Sequence, residues 1–255
     1  METIKCHLCG SNKKLQKSHV WPKFAFKRFA ADQNRGGRFA DLSLGRVSNI
    51  QCTRNWFCCD CEKIFSISEM YVANLCYKII RLSHQSYPYN KLLLRFAVSL
   101  SWRAAKYFQE MNNDFFIEWD QSKSYKIWKK YLLERKDNVD PYTIHLFVLK
   151  DQIKFPHTAL GGFIDRENSL LLTQIGPMFF VSLMKPNILT HDEMIIWNKS
   201  KISHRGGTLE VICRLTNSTN MPYINNMTPK LQGTFLRLEE TVRRAASSGN
   251  WPGSN

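Results

Sequence analysis

Two Cys-x-x-Cys pairs, Cys6/Cys9 and Cys58/Cys61, bracket the segment Ser18-His19-Val20-Trp21-Pro22. Four thiolates in two such pairs form the ligand set of a closed, tetrahedral structural zinc site. Cys59 competes with Cys58 for a place in the set, but only Cys58 leaves a two-residue gap to Cys61. A thioredoxin-like redox motif would need one pair in a strand-helix-strand context, and neither pair has one. Gly10, directly after Cys9, suits a knuckle in which backbone amides turn toward the sulfurs. Cys58-Cys59-Asp60-Cys61 suits the first turn of a helix, whose dipole favours thiolates. His7 lies inside the knuckle and reads as a spectator. Cys52, Cys59, Cys76 and Cys213 have no partner at ligand spacing and read as core or incidental thiols.

A metal can fix only a small region, and the rest of a 255-residue chain needs a core. Its 44% hydrophobic content is enough to build one, as one large domain or two ordinary ones. The formal charge of +15 points to a polyanionic partner, because Lys and Arg facing phosphates gain affinity by counterion release. The first 85 residues hold 14 Lys/Arg against 6 Asp/Glu, so the charge is densest around the cysteines.

The first cysteine pair arrives before an apolar signal region could fit, so export is not expected. The apolar runs Leu92 to Trp102 and Met178 to Met184 are too short to span a bilayer, so no membrane association is expected. Together these give a cytoplasmic expectation, and in that reducing setting eight cysteines read as thiols and thiolates rather than disulfides.

Three textures follow one another. Residues 1 to about 65 are rich in Cys, Gly, Asn and basic residues, with little periodicity. From about 66 to 136 the pattern is helical. Met70, Asn74, Tyr77, Ile80 and Arg81 continue a pattern whose apolar face also takes Val72, Leu75 and Ile79, and Ser66-Ile67-Ser68-Glu69 has the form of a capping box, although the second cysteine pair offers an earlier start. Leu92 to Phe108 is apolar nearly all round, as in a helix at a domain centre, and Ser122 to Arg135 is amphipathic with a basic face.

From Tyr142 the period becomes two, which predicts strands at Ile144–Leu149, Leu170–Ile175, Met178–Met184, Glu193–Trp197 and Thr208–Leu215. A closing helix is expected over Leu231–Ala246. The fold class is therefore α+β: a zinc module over residues 1–85, then a helical and antiparallel-sheet region over 86–255 with no function legible in it.

Knuckle, Ser-His-x-x-Pro, loop and Cys-x-x-Cys opening a helix resemble the zinc-containing branch of the HNH or treble-clef endonucleases. Leu15 to Phe24, Phe57 to Lys63 and Leu94 to Arg103 look like a little-characterised group of bacterial HNH-like proteins. The resemblance covers roughly the first 110 residues. It implies a treble-clef/ββα-metal module in which a histidine deprotonates the attacking water while a divalent cation stabilises charge on the scissile phosphate. On that basis His19 is the expected general base, Asn49 or Asn55 the residue orienting it, and Glu62 a ligand of magnesium, manganese or nickel beside the structural zinc.

Two positions depart from the family pattern. Ser18 stands where an Asp or His ligand is common, and Glu62 where a His is common; a carboxylate suits a hard cation. Glu69, two turns beyond Glu62, could approach the same site or be solvated.

The implied partner is nucleic acid, DNA before RNA. Lys17, Lys23, Lys27, Arg28 and Arg54 are the candidate phosphate contacts, and Trp21 and Trp56 could stack on bases. The alternatives are a catalytically decayed zinc module that binds nucleic acid or a protein, and a toxin or bacterial defence effector. His204-Arg205-Gly206-Gly207 reads as a hairpin loop, with a phosphate-binding turn as the other possibility.

Overall fold

The computed structural model describes residues 5–30, 39–41, 46–48, 50–81, 86–148, 159–186 and 201–210. Strand β1 (Leu15–His19) leads through Pro22 into helix α1 (Lys23–Ala30), and the short strands β2 (Phe39–Asp41) and β3 (Arg46–Ser48) follow. Strand β4 (Thr53–Cys58) runs straight into helix α2 (Cys59–Arg81). β1 and β4 form an antiparallel ribbon with a bulge between Gln16 and Lys17, so the N-terminal region is a ββα unit carrying the cysteines at one end.

Helix α2 buries Cys61, Phe65, Ser68, Val72, Leu75, Cys76 and Ile79, a stripe at helical spacing. It opens at the second cysteine pair, so Ser66 and Glu69 are interior positions rather than a capping box, and the Ser66 hydroxyl donates to the Lys63 carbonyl. Strand β5 (Ser86–Tyr89) leads to helix α3 (Lys91–Glu110), which Asn90 caps by accepting from the Leu92 amide at 2.9 Å. The sequence pattern holds for α3, where Leu93, Leu94, Phe96, Val98, Leu100 and Trp102 are all buried. Full burial of each such side chain is worth about 1.5–3 kcal/mol, so this helix makes a large apolar contribution to the fold.

Two 3-10 turns (Asp114–Phe116 and Trp119–Gln121) carry the chain to helix α4 (Lys123–Leu132), capped by Ser122, whose hydroxyl accepts from the Tyr125 amide. α4 ends at Leu132 rather than Arg135 because the chain turns there, with Glu134 at φ +58°.

The main sheet has six strands in the order β3-β2-β7-β8-β9-β6, with β6 (Ile144–Val148), β7 (Ala159–Asp165), β8 (Leu170–Ile175) and β9 (Met178–Leu183). All its pairings are antiparallel except the parallel pair β2–β7. Strands from the loop between the two cysteine pairs thus join the sheet built by the C-terminal region. The periodicity marks β6, β8 and β9 correctly. It misses β7, whose Gly161-Gly162 weakens the strand signal. A β-carbon on Gly162 would stand 2.9 Å from Phe108 Cε2 and 3.1 Å from Trp21 Cη2, so two rings require a glycine there.

Strand β10 (Gly207–Glu210) does not join the main sheet as its alternation suggested; it pairs antiparallel with β5. Glu193–Trp197, the end of Thr208–Leu215 and the closing helix Leu231–Ala246 lie outside the described residues.

Helix α3 packs on the sheet through Phe96, whose ring centroid is 5.7 Å from that of Phe180, and through Ser101 Oγ, 2.7 Å from Ser182 Oγ. One continuous cluster of buried side chains runs from Cys6 to Ile202, so residues 1–85 and 86–255 share a core. No described helix is long and apolar enough to cross a membrane.

Candidate metal centre and the histidine on its ribbon

The knuckle is set by backbone geometry. Gly10 adopts φ +78°, its amide donates to the Cys6 carbonyl at 2.8 Å, and the Cys6 amide donates to the Ser11 carbonyl at 2.9 Å. The left-handed conformation is what glycine supplies here, since a β-carbon would meet nothing within 4 Å. The Cys58 amide points at Cys6 Sγ, 3.4 Å away. Strand pairing brings the other half of the set to this knuckle, with Cys58 at the end of β4 and Cys61 in the first turn of α2.

The four sulfurs of Cys6, Cys9, Cys58 and Cys61 lie within 4.8 Å of one another. Cys6 to Cys61 and Cys9 to Cys58 are each 3.7 Å, far beyond a disulfide bond. A tetrahedron with metal–sulfur bonds of about 2.3 Å has edges of about 3.8 Å, so the spacing fits a four-coordinate ion.

The local electrostatics are opposed. Burial raises Cys61 and Cys6, whereas at Cys9 burial also acts upward but hydrogen bonds with Ser11, Cys6 and Cys61 together outweigh it and lower the thiol to about 6. A divalent cation would resolve that conflict by deprotonating all four. Cys59, exposed and turned toward Asp60, is outside the set, as its spacing indicated. The four cysteines can therefore hold a metal ion. Among the described residues no other group of three or more His, Cys, Asp or Glu side chains converges in this way.

His19 sits at the other end of the ribbon. Leu15 pairs with Cys58 and His19 with Thr53, a displacement of four residues or about 13 Å along the strand. Its ring is half-buried, and its Nε2 is 2.9 Å from Gln51 Oε1. An amide oxygen can only accept, so in the neutral ring Nε2 is the donor of this bond and the lone pair falls on Nδ1. The backbone at this point is held from both sides. The His19 carbonyl accepts from Arg103 Nη1 at 2.9 Å, and the Val20 amide donates to the Cys52 carbonyl at 3.0 Å.

Arg103 is only 3% exposed and pairs with Glu69 at 2.8 Å. Glu69 is thus the acid that the fold links to His19. Glu62 lies seven residues earlier, about 10.5 Å along the helix, in the turn that carries Cys61. It is half-buried and has no hydrogen bond or ion pair among the described residues.

The remaining candidates divide by strand face. Lys17, His19, Thr53 and Asn55 share the outward face of the ribbon, while Ser18, Arg54 and Trp56 share the inward one. Asn55 is exposed and pairs with Lys17, and Asn49 lies outside the described residues. Ser18 is buried and its hydroxyl donates to the Gln16 carbonyl, so it faces away from His19.

Lys23 and Lys27 are exposed one turn apart on α1, and the side chain of Arg28 lies outside the described set. Arg54 is committed elsewhere. It pairs with Glu110 at 3.0 Å and lies over the Tyr107 ring, and Trp56 Nε1 donates to the same carboxylate at 2.6 Å. Trp21 and Trp56 are 1% and 2% exposed, so neither is free to stack on a base; they are core side chains of the ribbon. At the other candidate turn, a β-carbon on Gly206 would stand 2.6 Å from the Tyr89 carbonyl, which gives that glycine a packing role beside the β5–β10 strand pair.

Gln51 and Arg103 are the residues that sequence reasoning missed. Gln51 carries no signal of its own. Arg103 did carry one, since a lone cation inside an apolar helix needs a partner.

Compared with models of known protein families, with curated proteins and with solved structures, the chain matches none.

Proposed function

We propose that the protein is a metal-dependent, HNH-like endonuclease that hydrolyses phosphodiester bonds of DNA, with zinc in the four-cysteine site as a structural staple. The observation that carries the reading is His19, half-buried on the outward face of the ribbon with Nε2 engaged by Gln51 Oε1 and Nδ1 left as the basic nitrogen. In this mechanism Nδ1 takes the proton from an attacking water, while a hard divalent cation (magnesium, manganese or nickel) stabilises the charge on the phosphate when bound. Glu62 is the carboxylate that the resemblance offers such a cation; it has no hydrogen bond or ion pair among the described residues, but it stands in the turn of Cys61, at the far end of the ribbon from His19. Lys17, on the face of His19, and Lys23 and Lys27 on α1 supply phosphate contacts. Gln51 takes the orienting part expected of an asparagine. A cytoplasmic setting belongs to the same reading.

Plasmid DNA incubated with the purified protein and each of the three cations tests it. Nicking by the wild type and a loss of about 100-fold or more in His19→Ala is the expected result. Equal nicking by the two proteins would remove His19 from the mechanism.

The inward turn of Ser18 and the commitment of Arg54 to Glu110 favour a second reading, a non-catalytic zinc module that binds nucleic acid or a protein, in a defence or toxin system. It predicts salt-sensitive DNA binding without cleavage under any cation, and binding unchanged in Glu62→Ala.

A further inference from the structure

Arg103 is the most conspicuous charge in the molecule that the mechanism does not use. It is 97% buried in the middle of α3, between Trp102 and Ala104, and its guanidinium carbon lies 5.4 Å from the centroid of the Phe65 ring. Burying a cation is unfavourable by several kcal/mol unless it is paired and hydrogen-bonded, and a pair of apolar side chains would usually serve stability as well. Here the pairing is uneven. Nη1 serves both Glu69 Oε1 and the His19 carbonyl, Nε reaches the Ser99 carbonyl at 3.3 Å, and buried Nη2 has no hydrogen-bond partner among the described residues. A group that is imperfectly satisfied yet spans three elements points to a role other than stability.

We infer that Arg103, held by Glu69, is a positioning residue for His19. It pins the carbonyl of the last residue of β1, so that the outward face of the ribbon, the Gln51 contact and Nδ1 are fixed relative to α2 and α3. This rests on the reading of His19 as the general base. Without the clamp the end of β1 is held by its pairing with β4, His19 opposite Thr53, and by the Val20–Cys52 backbone bond, but its carbonyl loses its link to α2 and α3, and the imidazole can leave Gln51. Misplacement of a base by about 1 Å lowers turnover by up to about 100-fold, with substrate binding on Lys17, Lys23 and Lys27 untouched.

The test is the double variant Arg103→Met/Glu69→Met, which removes the charge pair without orphaning either partner, with Arg103→Lys as a second variant that keeps an ion pair with Glu69. Metal content and Tm are measured first, and a variant that fails either is set aside in favour of the other. Two readouts follow: kcat and KM for plasmid nicking, and the rate at which diethyl pyrocarbonate modifies His19, resolved by peptide mapping with His204 as the internal reference. The expected result is a fall in kcat of about tenfold or more at little-changed KM, and a rise of about threefold or more in His19 modification while His204 is unchanged. Unchanged kcat and unchanged His19 modification would overturn the positioning role while leaving the nuclease reading intact. If the wild type cleaves no DNA, the nuclease reading fails by itself, and the His19 modification rate still decides whether Arg103 positions that ring.

Discussion

The cysteine knuckle and helix α3 sit in one continuous core but are organised by different forces. The knuckle places four sulfurs around a point, with its backbone held by a few bonds of Cys6, Gly10 and Ser11. α3 places large apolar side chains against the sheet and against Trp119, Trp128 and Phe57. With an ion in the site, the knuckle's stability would be that of the ion and its ligands, conditional on pH, chelators and metal supply. The helix's stability is that of buried area, conditional on shape. The contrast teaches that the same polypeptide can have one region removable by chemistry and another removable only by mutation.

Metal removal should break the contrast most visibly. Apparent contributions of about 10–16 kcal/mol are typical of zinc in isolated finger peptides, so Cys61→Ser, or chelation of the wild type, is expected to lower Tm by tens of degrees and to abolish stoichiometric metal in elemental analysis. Amide exchange should rise first over residues 5–19 and 53–62, with β8 and β9 retaining protection. Unchanged Tm and exchange after chelation would mean that the ribbon stands without an ion.

On the other side of the contrast, Trp102→Ala opens a cavity where Phe57, Trp119 and Tyr125 meet. The expected loss is about 3–5 kcal/mol in denaturant unfolding, with full metal occupancy retained below the transition. Loss of metal before unfolding would show that the knuckle depends on the helix beneath it more than its own ligands suggest.

The third test is electrostatic. Burial pushes Tyr131 up to about 12, and its hydroxyl lies 3.2 Å from His204 Nδ1. A phenol whose folded value exceeds its unfolded value of about 10 contributes stability that is complete below pH 10 and lost as pH rises toward 12. That difference corresponds to roughly 3 kcal/mol. Tyr131→Phe, which has no proton to lose, should be about 1 kcal/mol less stable than wild type at pH 8 and should close or reverse that gap by pH 12, in urea titrations at each pH. A gap that stays constant with pH would place Tyr131 in contact with solvent.

What the sequence made legible follows the same division. Cysteine spacing is a local code, and the ligand set, the exclusion of Cys59 and the helix opening at the second pair are all where the spacing puts them. The apolar circumference of α3 and the apolar runs of β6, β8 and β9, which are buried along their whole length rather than on alternate residues, are equally local. The connections between distant segments were not legible. Nothing in Phe39–Asp41 announces a parallel pairing with Ala159–Asp165, and nothing in Gln51 announces a bond to His19. The tryptophans misled for a related reason. In a basic segment Trp21 and Trp56 suit base stacking, but strand alternation turns Trp56 inward, and Trp21 closes against Gly162 and Tyr107.

The smallest expected effect sharpens the comparison at the level of a single dihedral. Gly10 and Gly162 are both required glycines, one in each region, for opposite reasons. At Gly10 there is space for a β-carbon but φ is +78°, so Gly10→Ala costs only the left-handed strain, about 1 kcal/mol. At Gly162 the new carbon meets Phe108 and Trp21 at 2.9 and 3.1 Å, and Gly162→Ala costs overpacking of about 1–3 kcal/mol. Because metal binding draws on knuckle geometry and not on the sheet, Gly10→Ala should weaken metal affinity by about tenfold in competition with a chromophoric chelator, whereas Gly162→Ala should lower Tm and leave affinity unchanged. The reverse pattern would mean that the ion's hold on its ligands is set by the core rather than by the turn that carries them.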